Sequence, residues 1–97
     1  MVKKAIFVRL KAKAGQEATL EAFLNSGLGL VEDEPLTVNW YALKFDDSTF
    51  GIFDTFEGEA GREAHLNGKV AEALMANAAE LLAESPKIEM VDLLAVK

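Results

Sequence analysis

The clearest pattern of hydrophobic and polar residues lies in residues 49–56, just before a short acidic segment that carries the only histidine, His65. Side chains alternate between the two faces of a strand. One face of this segment would carry Phe50, Ile52, Asp54 and Phe56, and the other Gly51, Phe53 and Thr55. Both faces are largely apolar, so each must be buried from water by other parts of the protein or by a partner. A chain of this size has helices for one face only, so a second copy is expected on the other.

Three more strands and three helices are predicted from the same kind of pattern. The strands span residues 4–12, 36–46 and 87–96. The first helix has an apolar face at three- and four-residue spacing, made of Leu20, Phe23, Leu24, Gly27, Leu28 and Val31. It should end near Glu34, because Pro35 disfavours the helical conformation of the residue before it. The two later helices span residues 59–66 and 70–83.

The resulting order of elements, β-α-β-β-α-α-β, predicts an α+β domain of the ferredoxin-like type. In this topology a four-stranded antiparallel sheet has its first and third strands in the centre and its helices on one face. No linker or repeat divides the chain, so residues 1–97 are expected to form one domain.

Composition narrows the range of partners. The formal net charge of −6 and the lack of a clustered basic patch argue against binding to nucleic acid or to an anionic membrane surface. No apolar run is long enough to span a membrane. The chain has no cysteine and one histidine, which excludes thiolate chemistry and argues against a metal site. We expect a cytoplasmic protein.

Several segments resemble the antibiotic biosynthesis monooxygenase (ABM) family. They are the opening strand and turn FVRLKAKAGQEATLEAFL, the pair Glu34-Pro35 before the second strand, and the strand-to-helix segment FGIFDTFEGEAGREAHLNG. Within the last segment, Asp54 and Phe56 match an acidic and an aromatic position at the end of the third strand. His65-Leu66 matches the end of the helix that follows.

The resemblance implies a dimeric α+β barrel and an oxygenase that needs no cofactor. Such an enzyme acts on a small phenolic or quinol-like aromatic molecule, whose deprotonated form reacts with oxygen inside a dry pocket. The haem-degrading branch of the fold has an asparagine on the first strand and a tryptophan at the end of the third. This chain has Val8 and Phe56 at those positions, which argues against haem degradation.

His65 is the candidate base, because an unperturbed imidazole takes up a proton near neutral pH. Asp54 would orient the ring or act as the base itself. Asn39 would donate a hydrogen bond to a substrate oxygen. The structural alternative for His65 is that it packs the junction between two helices and never touches a substrate.

The predicted substrate pocket lies between the sheet and the helices. Its candidate binding residues are Tyr41, Trp40, Phe23, Phe56 and Arg9. Asn39 and Tyr41 share one face of the second strand and Trp40 takes the other, so only one set can line the pocket. Core packing or dimer contacts are the alternative for each aromatic residue.

Arg9 interrupts an apolar central strand, where a charge needs a partner. We expect it to pair with Asp54 or Asp92 on the neighbouring strands, or with a carboxylate of a partner subunit.

Two other functions remain open at this point. The same cavity can hold a small apolar ligand in a non-catalytic dimeric binding protein, or it can serve an isomerase of the same fold.

Overall fold

The computed structural model describes residues 1–97 and has the predicted α+β architecture. Its strands are β1 (Lys4–Lys11), β2 (Asn39–Lys44), β3 (Thr49–Phe56) and β4 (Lys87–Asp92). Its helices are α1 (Glu17–Val31), α2 (Glu59–Leu66) and α3 (Lys69–Leu81). None of the three helices has both the length and the apolar character needed to cross a lipid bilayer.

The four strands form one antiparallel sheet in the order β2-β3-β1-β4, so the prediction that the first and third strands are central is confirmed. Phe7 of β1 lies opposite Phe53 of β3, and Val8 lies opposite Ile52. Because paired residues in a sheet point to the same face, this register assigns every side chain of the sheet to one face or the other.

The outer strands are shorter than predicted. β2 begins at Asn39, opposite Thr55, and residues 32–38 form a loop between α1 and β2. β4 ends at Asp92, because its neighbour β1 begins at the opposing residue, Lys4, and a strand needs a partner to continue.

The helix-covered face of the sheet forms the core. Its buried side chains include Ile6, Val8, Leu10, Phe50, Ile52 and Phe56, which pack against Leu20, Leu24, Leu74, Leu81 and Leu82. The prediction that Leu28 belongs to the buried face of α1 is wrong, since Leu28 is 51% exposed. The buried residues of α1 follow Leu20, Leu24 and Val31, which places Leu28 at the margin of the contact.

The opposite face, called here the open face, has no helix over it and carries several aromatic side chains. Tyr41 stacks on Phe53 with ring centroids 6.5 Å apart, and Phe45 meets Phe7 edge to face at 6.4 Å. Tyr41 is 52% exposed and Phe45 is 50% exposed. An aromatic sheet face of this kind is typical of an interface.

Arg9 also lies on the open face. Its guanidinium is 4.5 Å from the ring centroid of Phe45 and 5.4 Å from that of Phe7, a cation–π arrangement. The predicted pairing with Asp54 or Asp92 is wrong. Asp54 points to the helix-covered face, and Asp92 pairs with Lys4 at 2.9 Å. The alternative, that Arg9 pairs with a carboxylate of a partner subunit, stays a prediction.

Candidate active site

Asp54 is a buried carboxylate on β3. It points to the helix-covered face, with Ile6 of β1 and Trp40 of β2 as its cross-strand neighbours, and only 1% of it is exposed. A charged group is costly to bury among apolar neighbours unless an opposite charge lies close to it. Asp54 shares its face of β3 with the apolar residues Phe50, Ile52 and Phe56, so an opposite charge is expected among the side chains that contact it.

The side chain that supplies this charge is His65, on the buried side of α2 near its C-terminal end. Its Nε2 atom lies 2.9 Å from Oδ2 of Asp54. The contact is an ion-pair distance, but its angle does not make a well-aligned hydrogen bond, and neither Asp54 oxygen has one. Coulomb attraction does not require that alignment. The imidazole ring also packs on Phe56, with centroids 5.5 Å apart.

The other ring nitrogen of His65 contacts a second carboxylate, Glu34, in the loop between α1 and β2. Nδ1 lies 2.6 Å from Oε1 of Glu34. The Thr37 hydroxyl donates to the same oxygen over 2.9 Å and lies 3.5 Å from Nδ1. Asp54, His65 and Glu34 therefore form one row, the carboxylate–histidine triad, which joins β3, α2 and the loop.

The two carboxylates change the acid–base behaviour of the imidazole. Burial is the largest single influence on His65 and by itself would lower its pKa. The close contacts of the ring with the negatively charged Asp54 and Glu34 together outweigh burial, so the pKa of His65 is raised above its usual value. The triad therefore holds a proton more tightly than a free histidine does.

Four buried polar atoms at or beside the triad lack a hydrogen-bond partner. They are Oδ1 and Oδ2 of Asp54, Oε2 of Glu34 and Nε1 of Trp40. Buried polar atoms in proteins are nearly always satisfied, so these four atoms mark places where buried water molecules can bind.

Two spaces border the triad on opposite sides. The inner cavity, between sheet and helices, has a volume of about 40 Å³ and touches Asp54 and His65. The outer cleft has a volume of about 280 Å³ and lies between residues 33–37 and the α2 residues Gly61, Ala64 and His65. The inner cavity has room for a few water molecules, whereas the outer cleft has room for a small ring compound. The prediction of a substrate pocket between the sheet and the helices is therefore wrong for a ring compound, because packed core side chains leave only about 40 Å³ there.

A larger groove, of about 480 Å³, runs between α1 and the β2–β3 hairpin. Its main polar feature is the Lys44–Glu21 pair at 2.7 Å, in which both side chains are about half exposed. An exposed ion pair of this kind is common on protein surfaces. The triad is therefore the better candidate for chemistry.

The three triad side chains do not form a metal site. The carboxylates lie at opposite nitrogens of one ring, and no group of three ligating side chains in the chain converges on a point.

A protein of unknown function from Nitrosomonas europaea has nearly the same structure and a closely similar sequence. The two are 62% identical over the whole of this chain and 94% of that chain, with a TM-score of 0.98. This chain belongs to the same family as that protein.

More distant structures show how widely the fold occurs. Provisionally named antibiotic biosynthesis monooxygenases from N. europaea and Caulobacter crescentus are each 15% identical to this chain, with TM-scores of 0.83 and 0.82. The first match covers 95% of this chain and 90% of the other, and the second covers 97% and 92%. The ABM resemblance is thus confirmed for the fold. No protein-family model and no curated protein matches the chain.

The structure separates the predicted site residues into two groups. Trp40, Phe23 and Phe56 lie on the helix-covered side with His65 and Asp54. Asn39, Tyr41 and Arg9 lie on the open face, where Asn39 accepts a hydrogen bond from Thr55 over 2.7 Å. The sheet stands between this second group and the triad.

Glu34 and Thr37 are the site residues that the sequence analysis missed. Glu34 is one of 16 acidic residues in the chain, and the sequence pointed to it only as the end of α1 and as part of the Glu34-Pro35 pair that resembles the ABM family. No local pattern marks it as a partner of His65, because the two are joined by packing between a loop and a distant helix.

Proposed function

We propose that the protein is a cofactor-independent monooxygenase of the ABM type that acts on a small phenolic or quinol-like molecule. The observation that carries this proposal is the His65 ring held between Asp54 and Glu34, next to a cleft that can hold a small ring. Deprotonation of a phenolic substrate requires a group that accepts the proton and, next to it, a pocket with apolar walls.

In the proposed reaction the substrate supplies the electrons. A phenolic O–H bond breaks, the proton goes to the triad, and the electron pair stays on the substrate oxygen. The resulting anion reacts with dioxygen. For hydroquinone the balance is one hydroquinone plus one O₂ giving one hydroxybenzoquinone plus one water. The charged His65 ring stabilises the anion electrostatically in a site with little water.

The test is oxygen uptake by the purified protein with a panel of hydroquinones and anthrones. We expect one O₂ consumed per substrate molecule, and a large loss of turnover in Asp54→Asn and His65→Gln variants that remain folded. Uptake that is the same in both variants and in the natural protein would remove the triad from the mechanism. No uptake with any substrate would overturn the oxygenase proposal.

A second candidate is a non-catalytic protein that binds a small apolar molecule. It is supported by the outer cleft, whose walls include the apolar residues Pro35, Leu36 and Ala64. Such a cleft can bind a small apolar molecule without any reaction taking place. Binding without oxygen uptake across the same panel would favour this function.

A homodimer through the open face is part of the proposal. It is supported by the half-exposed Tyr41 and Phe45 and by Arg9, whose charge has no carboxylate beside it within the chain. A cytoplasmic location is also proposed, and the absence of cysteine is consistent with it.

A further inference from the structure

The wall of the outer cleft that lies across from α2 is made by residues 33–37, called here the cleft loop. Every hydrogen bond or ion pair that joins this loop to α2 ends on Nδ1 of His65, which lies 2.6 Å from Oε1 of Glu34 and 3.5 Å from the Thr37 hydroxyl. The other hydrogen bonds of the loop stay within it or return to the end of α1. No residue of the loop is buried. A segment with so few buried contacts can open while the rest of the fold stays closed.

Two glycines receive the docked loop. A Cβ on Gly61 would lie 2.9 Å from the Leu36 carbonyl oxygen, and a Cβ on Gly68, just after α2, would lie 2.7 Å from Oε2 of Glu34. The loop therefore sits where only a bare backbone leaves room for it. Oε2 is shielded from water there and has no hydrogen-bond partner, which is costly for a carboxylate. The docked position of Glu34 thus depends on the charge of His65.

The docked arrangement requires a proton on both nitrogens of His65. A charged imidazole has two N–H donors, one for each carboxylate, whereas a neutral imidazole has one donor and one lone pair. After loss of a proton, one carboxylate faces a lone pair and is repelled. Asp54 is 1% exposed and fixed in the central strand β3, so it cannot turn to water. Glu34 is 18% exposed and lies in a surface loop, so it is the carboxylate that can leave.

Asp54 and Glu34 are the titratable groups in contact with the imidazole ring. Asp33 borders the outer cleft, but it is exposed and makes no hydrogen bond or ion pair with the ring. On α2 itself, Arg62 is paired with Glu59 at 2.7 Å. The cavity beside the ring receives only apolar side chains from β1, α3 and β4: Ile6, Val8, Val70, Ala71, Leu74 and Ile88. The proton on the ring is therefore governed by the two carboxylates that touch it.

We propose that His65 is a switch for the cleft loop, which docks on α2 when both ring nitrogens carry a proton and is released when one proton is lost. Release uncovers Nδ1, which then faces the outer cleft as a proton acceptor. The pKa of His65 is raised above its usual value, so release takes place as the pH rises through a value above about 6.5.

For the reaction, this inference rests on the proposed function, whereas the release of the loop does not depend on it. While the loop is docked, a carboxylate covers each nitrogen and a substrate hydroxyl cannot reach the ring. In the released state the phenolic O–H bond breaks, its proton bonds to Nδ1, and the electron pair stays on the substrate oxygen. His65 is then the catalytic residue, and Glu34 is a positioning residue that covers Nδ1 until the ring is neutral.

The experiment follows the natural protein by NMR from about pH 6 to about pH 10. The ring signals of His65 report its protonation, and the nuclear Overhauser effect (NOE) between the Leu36 side chain and the Gly61 α protons reports docking. We expect the docked population to fall at least about tenfold with the midpoint of the ring, because a hydrogen bond to a charged group is lost. The NOE between Val8 and Ile52, which are paired in the sheet, should stay constant and so separates release from unfolding.

Glu34→Gln removes the charge and keeps the shape. Because an amide can either donate to Nδ1 or accept from it, the Leu36–Gly61 NOE should lose its dependence on pH, and the pKa of His65 should fall. Glu32→Gln is the matched control, since Glu32 is exposed and lies outside the cleft. It should keep the natural dependence.

Gly68→Ala changes no charge but places a methyl group against Oε2 of Glu34. The loop should then be released even at about pH 6, and the pKa of His65 should fall because Glu34 has moved away. Gly58→Ala is the control, because a Cβ on Gly58, the residue before α2, meets nothing within 4 Å. It should leave both the NOE and the ring titration as they are.

Two results with the natural protein would overturn the inference even if a variant does not fold. One is a Leu36–Gly61 NOE that persists through the His65 titration, and the other is a ring that does not titrate below about pH 10. Oxygen uptake distinguishes this inference from the oxygenase proposal. Uptake should rise with pH at the midpoint of release. Release without uptake would support the switch and overturn the oxygenase, whereas uptake by a protein whose loop stays docked would overturn the switch alone.

Discussion

Nε2 of His65 lies 2.9 Å from Oδ2 of Asp54, and this contact joins helix α2 to the central strand β3 inside the core. A buried imidazole and a buried carboxylate each lower the cost of charging the other. The protonation state of His65 therefore depends on Asp54, and this dependence can be measured directly because the chain has one histidine.

Asp54→Asn should lower the pKa of His65. The substitution removes one of the two negative charges that raise the pKa and leaves the burial that opposes them. Titration of the His65 ring signals by NMR measures the change. Asp47→Asn, an exposed site in the β2–β3 turn, is the control and should leave the titration as it is. An unchanged His65 pKa in Asp54→Asn would contradict the ion pair.

Stability should fall as the pH rises above neutrality. The folded pKa of His65 is raised above its unfolded value of about 6.5, so its contribution is fully present below that pH and is lost as the pH rises through the folded pKa. The slope for one group cannot exceed about 1.4 kcal/mol per pH unit.

Urea denaturation between about pH 6 and pH 9 measures this dependence. The His65→Gln variant should show a flatter profile across the same window. The lowered pKa values of Asp46 and Asp92 act at acid pH, and the raised pKa of Lys44 acts at alkaline pH. A profile with the same slope in both proteins would show that His65 is not the titrating group.

Two glycine substitutions should change stability in opposite directions. A Cβ on Gly51 would lie 2.9 Å from the Val8 carbonyl oxygen, in the backbone of the neighbouring strand, so Gly51→Ala should destabilise the protein by about 1–3 kcal/mol. A Cβ on Gly29 in α1 meets nothing within 4 Å, and Gly29→Ala should stabilise by about 0.5–1 kcal/mol. Urea midpoints at one pH test both. Destabilisation by Gly29→Ala would be inconsistent with the open surroundings of that residue.

The proposed dimer can be tested at Tyr41, on the open face. Tyr41→Lys adds a charge to a half-exposed aromatic position, and we expect it to convert a dimer into a monomer at micromolar concentration. Light scattering after gel filtration measures the mass. Met75→Lys, at a 60% exposed position on α3, is the matched control and should stay dimeric. A monomeric natural protein under these conditions would refute the dimer.

Local patterns were enough to predict much of the fold. The bounds of β3 (Thr49–Phe56) and α2 (Glu59–Leu66) are as predicted, because side-chain alternation and helix-start charges mark them within the sequence itself. The candidate site was predicted less completely. Asp54 was identified because it matches an acidic position of the ABM family on the strand that leads to α2, and His65 because it is the only histidine.

The sequence by itself determined the order of elements, the central position of β1 and β3, and the presence of Asp54 on the same face of β3 as Phe50, Ile52 and Phe56. Only the tertiary structure decided that Glu34 meets His65, that Arg9 lies over aromatic rings, and that Leu28 is exposed. The reason is physical. Periodicity is a property of neighbours along the chain, whereas these contacts depend on how a loop, a helix and the opposite sheet face are arranged once the core has packed.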